Sequence, residues 1–287
     1  MPLTRIAIVA KVHDPRCQSV ADDLINWLEE RGCTPLVEEH LARHIGCGKG
    51  VSREEIRERA ELVVVLGGDG TLISVARLMC GRDVPILGVN LGSLGFLTET
   101  TVEELYQRLE KCLDGAPHVS DRMMLEVAVH REGAELETHH ALNDVVINKG
   151  ALARIVDLET RVNHHFLTTF KADGLIVSTP TGSTGYSMSA GGPIIHPQLS
   201  CIVITPICPH TLTNRPIVVP DESVVSITVK SSFDEKVYLT IDGQVGLELH
   251  EGDSVKVRRA EKSIALVTAR NRDYFQLLRT KLKWGER

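Results

Sequence analysis

Residues 61–77, ELVVVLGGDGTLISVAR, constrain the fold of this chain more than any other stretch. Leu62 to Leu66 form an unbroken apolar run of strand length. Gly67, Gly68, Asp69 and Gly70 interrupt it, and Thr71 opens a pattern with helical spacing at Leu72, Val75, Ala76 and Met79. A strand that turns through glycines into a helix aims backbone N–H groups and the positive end of a helix dipole at one point, which suits an anion. Asp69 opposes this, because a carboxylate about 4 Å from a phosphate charge would cost roughly 4 kcal/mol per charge pair at an effective dielectric near 20. The arrangement makes sense if a cation such as Mg²⁺ lies between the two, or if the carboxylate faces a hydroxyl about to lose its proton. Both describe phosphoryl transfer. The alternative is an Asp69 that only caps the helix, and the turn alone leaves both open.

The rest of the first 120 residues repeats the alternation. Ile6 to Ala10 and Pro85 to Val89 read as strands; Val20 to Arg31 and Val102 to Leu113 read as amphipathic helices. Strands separated by helices imply parallel pairing in a doubly wound sheet, with ligands beyond the carboxyl ends of the strands. Arg53 to Arg59, REEIRER, reads as the solvated face of a helix, and Gly46 to Gly50, GCGKG, as a mobile loop without P-loop spacing. No G-x-G-x-x-G follows a strand, so a nicotinamide oxidoreductase is disfavoured.

From about Asp121 the texture changes to short alternating runs. Met124–His130, Ala141–Asn148, Arg154–Val162, Leu175–Thr179, Ile202–Thr205, Val224–Val229, Val237–Ile241, Ser254–Arg258 and Ile264–Thr268 all fit strands. Gly133, Asp242-Gly243 and Gly252-Asp253 punctuate them. A β-rich second domain over 121–267 is expected, and the helical spacing of Tyr274, Leu277, Leu278 and Leu282 within 268–287 predicts a last helix that packs back on the first domain, 1–120.

A length of 287 residues suits about two domains. The seven cysteines lack any C-x-x-C pair, which points to reduced thiols and a cytoplasmic setting. No signal-peptide layout or membrane-length apolar run is seen, so no membrane partner is expected. A net charge of −6 and a pI near 6.1 argue against a nucleic-acid partner. His40 and His44, spaced i, i+4 without a completing Glu, read as surface residues, as do His139-His140 and His164-His165.

Two further stretches carry chemistry. In Ser178–Pro193, STPTGSTGYSMSAGGP, neutral hydroxyls crowd among glycines, which suits a ligand rich in ribose and phosphate oxygens. Bonding of turn hydroxyls to their own backbone accounts for two or three of them. Asn143-Asp144 sets a carboxamide and a carboxylate at the start of a strand, a weak signal alone.

Taken in order, GGDGT (67–71), GVNLGSLGFL (88–97), Asn143-Asp144, the Ser/Thr/Gly stretch and TIDGQ (240–244) resemble the bacterial NAD kinases along essentially the whole chain. The resemblance implies an α/β plus all-β chain, with an N-terminal Rossmann-like doubly wound domain and a C-terminal β-sandwich. The implied reaction is Mg²⁺-dependent transfer of the ATP γ-phosphoryl group to the 2′-hydroxyl of the adenosine ribose of NAD, in a homodimer or homotetramer. It further implies Asp69 as general base and Gly67, Gly68, Gly70 and Thr71 as the ATP cradle, with Asp69 and Gly70 also touching NAD. Leu94 and Phe96 would line the nucleotide pocket, and Asn143 and Asp144 would hold adenine and ribose. Thr181, Thr184, Gly185, Tyr186, Cys208 and Gln244 would contact NAD, as would Lys171. Asp173 would reach the nicotinamide end from a neighbouring subunit. His210 and Arg215 recur in the family and read as structural. The rivals are a lipid kinase sharing the glycine-aspartate turn and a nucleotide-sensing protein without catalysis, for which Asp69 would be unnecessary.

Overall fold

Five consecutive side chains, Leu62 to Leu66, are wholly buried, as a central strand covered on both faces requires. The computed structural model describes residues 3–92, 95–150, 155–230, 236–268 and 273–284. It divides into two units, Met1–Asp121 with Ile264–Arg287, and Arg122–Ser263.

The first unit contains β1 (Arg5–Ala10), α1 (Cys17–Glu29), β2 (Thr34–Val37), α2 (Glu39–Ile45), α3 (Arg53–Arg59), β3 (Leu62–Leu66), α4 (Asp69–Met79), β4 (Ile86–Asn90), β5 (Thr100–Thr101) and α5 (Leu105–Leu113). Its sheet runs β2-β1-β3-β4 with parallel pairing throughout. Beyond β4 lie β19 (Ile264–Val267) and then β6 (Val119–Arg122), and β5 pairs with β4. Helix α1 lays Cys17, Ala21, Leu24 and Leu28 on the sheet at i, i+4, i+7, i+11. Each large apolar side chain so buried stabilises the unit by about 1.5–3 kcal/mol.

Two expectations for this unit change. Ile264–Thr268 does not join the β-rich domain: β19 pairs in parallel with β4, Leu266 opposite Ile86. Strand-like sequence cannot specify which sheet a strand joins. The Arg53–Arg59 helix is more than a solvated face. Ser52 and Glu55 form a capping box, Ile56 is buried, and Arg53 meets the buried Glu38 at 2.6 Å and Ser74 at 2.8 Å. The Gly46–Gly50 segment follows α2. Gly46 ends α2 in the left-handed conformation, and a Cβ on Gly50 would come within 2.6 Å of Glu39 Cα.

The second unit is two six-stranded sheets whose recorded pairings are all antiparallel. In chain order its strands are β7 (Leu125–Arg131), β8 (Ala134–Ala141), β9 (Asp144–Lys149), β10 (Val156–Val162), β11 (His165–Ala172), β12 (Gly174–Ser178), β13 (Cys201–Ile207), β14 (Ile217–Pro220), β15 (Val225–Val229), β16 (Val237–Ile241), β17 (Val245–Leu249) and β18 (Ser254–Arg259). One sheet is β11-β10-β15-β18-β7-β8 and the other β14-β13-β12-β9-β16-β17. Alternate residues of both, such as Leu125, Val127 and Val129 facing Val145, Ile147, Leu175 and Val177, fill one sandwich core. After β12 come a 3-10 turn, Thr181–Thr184, and α6 (Tyr186–Ser189). The last helix, α7 (Tyr274–Leu282), is capped by Asp273, whose carboxylate accepts the Phe275 N–H.

Candidate active site

Asp69 sits at the first position of α4, just beyond the carboxyl end of β3, but its side chain does not cap that helix. Gly68 occupies the cap position and supplies no side-chain bond. The Asp69 carboxylate turns instead to the loop after β4. Oδ2 accepts the Phe96 N–H at 2.8 Å, and Oδ1 accepts the N–H groups of Leu97 at 3.1 Å and Thr98 at 2.9 Å and the Thr98 hydroxyl at 3.0 Å. A carboxylate has about four acceptor sites, two on each oxygen. With the donors of the described residues counted, Oδ1 is therefore saturated, while Oδ2 keeps one lone pair. Gly95 permits this approach, because a Cβ there would run into the Asp69 carboxylate and the Thr98 hydroxyl.

The other glycines of the turn divide by cause. A Cβ on Gly67 would lie 3.0 Å from Thr71 Oγ1 and 3.2 Å from Lys11 Cβ, a packing demand of the protein itself. A Cβ on Gly68 would meet no atom of the described residues within 4 Å, and its φ of −101° suits any residue. The space beside Gly68 is left open by the chain. Gly70 is exposed and Thr71 half-buried at the same helix end.

In the second unit a second carboxylate repeats the pattern. Asp242, on the turn between β16 and β17, accepts three successive main-chain N–H groups: Leu142 at 3.0 Å, Asn143 at 2.7 Å and Asp144 at 3.1 Å. It also donates its own N–H to the Asp144 carbonyl at 2.9 Å. Both Asp242 and Gly243 have positive φ, 50° and 63°, a geometry that Asp and Gly tolerate best. Asn143 and Asp144 are thereby fixed at the entrance to β9. They line a cavity of about 380 Å³ with Val146, Gly185, Tyr186, Thr240, Asp242 and Gly243, a size within the usual range for small-ligand sites. Asp144 is only 6% exposed. Burial first, and the Asp242 charge second, push its carboxyl up to about 7. The Asn143 side-chain oxygen is buried and has no partner among the described residues.

The hydroxyl-rich stretch is largely bonded within the protein. Ser178 donates to the Thr179 carbonyl, Thr179 to Leu142, Ser183 to Pro180, and Thr184 to Thr181. Bonding to nearby backbone thus accounts for three hydroxyls, those of Ser178, Ser183 and Thr184, within the expected two or three, while Thr179 reaches a distant segment. Gly182 is required by the same crowding, since a Cβ there would strike the Asn143 carbonyl. The Thr179 hydroxyl ties the turn to the Asn143 segment by bonding both the Leu142 carbonyl and the Gly182 N–H.

The remaining expected residues lie elsewhere. Asp173 pairs with Lys149 at 3.0 Å and Lys171 with Asp157 at 3.7 Å. Asp173 precedes Gly174, at the end of β12 opposite Ser178, and the Asp144 partner is Ser178. Four strand steps put about 13 Å between those ends at about 3.3 Å per residue. Cys208 is exposed next to the same far end, since Ile207 pairs with Gly174. Gln244 lies two residues beyond Asp242 on the β16–β17 turn. Leu94 lies outside the described residues. His40, His44, His164 and His165 are exposed as read, and His139 and His140 are half-buried on β8. Arg215 bonds the carbonyls of Leu212 and Asn214 in its own loop.

Three residues of these two clusters escaped the sequence reading: Thr98 and Asn90 in the first unit and Asp242 in the second. Asp242 stands in the quoted TIDGQ motif and Asn90 in GVNLGSLGFL, but their partners are distant in sequence. Thr98 is the residue after that motif.

Among the described residues no three His, Cys, Asp or Glu side chains converge as a metal site, and no helix is long and apolar enough to cross a membrane. The family model for the ATP-NAD kinase N-terminal domain matches residues 6–116, and that for the C-terminal domain matches 142–269. The chain is 67% identical to the NAD kinase of Trichlorobacter lovleyi and 65% identical to that of Geobacter sulfurreducens, in each case over 99% of this chain and all of the relative. Among solved structures, a yeast NADH kinase complexed with NADH superposes with a TM-score of 0.93 at 27% identity, covering all of this chain and 89% of the other. An Archaeoglobus fulgidus NAD kinase in complex with ATP superposes with a TM-score of 0.76 at 24% identity, covering 98% and 99%.

Proposed function

This chain belongs to the NAD kinase family, and on that premise we propose how its own residues divide the work. The activity is ATP-dependent: the γ-phosphoryl group passes to the 2′-hydroxyl of the adenosine ribose of NAD and yields NADP. Matches to both kinase domains, and to NAD kinases over 99% of the chain, leave the lipid-kinase and sensor alternatives without support.

Asp69 is the general base, and Oδ2 is the atom that takes the proton. The observation that carries this assignment is the unequal loading of the carboxylate, with three donors on Oδ1 and one on Oδ2. As the 2′ O–H bond breaks toward Oδ2, the ribose oxygen attacks the γ-phosphorus. The bond from that phosphorus to the β,γ-bridging oxygen breaks, and ADP leaves with the electron pair. The protein's part is mainly positioning and charge stabilisation. Gly67, Gly68, Gly70 and Thr71 form the triphosphate cradle at the α4 N-terminus, and the open space at Gly68 supports that use.

The divalent cation is Mg²⁺, arriving as part of the ATP substrate and offsetting phosphate charge. This suits a chain in which the described carboxylates form no cage. Asn143 and Asp144 hold the adenine and ribose of NAD, and the unpartnered Asn143 oxygen is suited to a ligand donor. Thr181, Thr184, Gly185, Tyr186 and Gln244 complete that pocket, with Phe96 and Leu94 against the nucleotide. Lys171, Asp173 and Cys208, at the far end of β12, serve the nicotinamide end of NAD bound to another copy. We propose with this a homodimer or homotetramer, acting in the cytoplasm without nucleic-acid or membrane partners.

The test compares NAD with its analogue lacking the adenosine 2′-hydroxyl, each with ATP and Mg²⁺. NAD is expected to yield a phosphorylated product and ADP, and the analogue to bind without turnover. Phosphorylation of the analogue would reject a 2′-hydroxyl facing Asp69.

A further inference from the structure

Asn90 ends β4, and its side chain is held in one orientation. Its Oδ1 accepts the Gly92 N–H at 2.6 Å, so its Nδ2 is the end that donates to the Thr98 hydroxyl, at 3.0 Å. The Thr98 oxygen thus receives a hydrogen from a group that can only donate. Its own single hydrogen is left for Asp69 Oδ1, also 3.0 Å away. Thr98 is wholly buried and Asn90 is 8% exposed, so water does not compete for these bonds. The direction of donation is therefore fixed from Gly92 to Asn90 to Thr98 to Asp69.

We propose that Asn90 and Thr98 are positioning residues that saturate Asp69 Oδ1 and so reserve Oδ2 for the ribose proton. This rests on the reading of Asp69 as general base. A carboxylate with both oxygens equally free would rotate and share its lone pairs between the sugar and the loop. The Thr98 hydroxyl and the N–H groups of Leu97 and Thr98 hold Oδ1 inward, which turns Oδ2 outward beside Phe96 N–H. Thr98 acts on the orientation of the base and not on substrate affinity, so its loss belongs in kcat rather than in KM.

The experiment is a double-mutant cycle on the intact enzyme, with kcat and the KM for NAD measured for Thr98→Val, Thr98→Ser, Asp69→Asn and Thr98→Val/Asp69→Asn. Thr98→Val is expected to lower kcat about 10–100-fold with the KM for NAD changed by less than about 3-fold, and Thr98→Ser to recover most of the loss. In the Asp69→Asn background, Thr98→Val should change the residual rate by less than about 2-fold, since there is no base left to orient. A wild-type kcat in Thr98→Val, or an equal further loss on top of Asp69→Asn, overturns the proposal while leaving the base assignment standing. Turnover retained by Asp69→Asn alone removes the base assignment itself. Should Thr98→Val not fold, Asn90→Asp carries the same test. It keeps the shape but cannot donate, and is expected to cost about 10-fold in kcat; an unchanged kcat overturns the relay.

Discussion

Asp242 Oδ1 accepts the N–H groups of Asn143 at 2.7 Å and Asp144 at 3.1 Å, while Oδ2 accepts that of Leu142 at 3.0 Å. Asp69 and Asp242 are thus built alike: each is a carboxylate in a glycine-containing turn that gathers three consecutive amides of a second segment. In both cases a charge-assisted set of bonds fixes the segment that carries the proposed chemistry.

Asp242→Asn replaces acceptor capacity with an N–H₂ group that faces donors. The Asn143–Asp144 segment should loosen, raising the KM for NAD about 10-fold or more with a smaller change in kcat. Steady-state kinetics with NAD as the varied substrate measure this, and an unchanged KM would remove the positioning role.

Asp144 gives a pH dependence whose sign follows from its raised carboxyl, about 7 against an ordinary value of 3.8. Between those values the folded chain keeps a proton that the unfolded chain has lost. Stability therefore falls as pH rises from about 4 to about 7 and then levels, by up to the order of 4 kcal/mol. Urea midpoints across this window should slope downward in the parent chain, and the slope should shrink in Asp144→Asn. A parallel slope in both would contradict the raised carboxyl.

The two glycines at the first turn should separate stability from binding. Gly68→Ala is expected to cost at most about 1 kcal/mol, the helix-cap preference, while the KM for ATP rises because a methyl now occupies the open space. Gly95→Ala places its Cβ on the Asp69 carboxylate and should lower kcat even where ATP still binds. Denaturation curves and kinetics on the pair check both.

Much of this was legible in the sequence, and the exceptions share a cause. Local pattern located β3, α4, the Asp242-Gly243 turn and most strands of the second unit, since burial on one face imposes a period of two. Strands β8, β11, β14 and β17 were missed: β8 carries mostly polar, exposed side chains such as Glu135 and Glu137, β11 has no strict alternation, with Leu167, Thr168 and Thr169 all half-buried in succession, and both lie at a sheet edge. The sheet joined by β19 is set by topology and not by composition. Asp69 was legible as a functional carboxylate, but the loop it grips lies 27 to 29 residues away, and nothing local encodes that pairing.

The second unit also contains a structural ion pair that should matter for folding alone. Asp253 is 1% exposed and is held by Arg131 at 2.9 and 2.7 Å and by the His250 N–H at 2.8 Å. Burial alone would raise its carboxyl, but Arg131 and the His250 N–H outweigh that and hold it below the ordinary value. Arg131→Ala leaves a buried carboxylate without its cation and should destabilise the fold by about 3 kcal/mol, read as a lower urea midpoint with kcat preserved in the folded fraction.

The assignment of Asp69 is tested most directly by following the chemical step itself. In Asp69→Asn, a rapid-quench single turnover with ATP, Mg²⁺ and saturating NAD should show phosphoryl transfer slowed about 10²–10⁴-fold, with NAD affinity by calorimetry within a few-fold of the parent. A chemical step as fast as the parent's would contradict proton removal by this carboxylate.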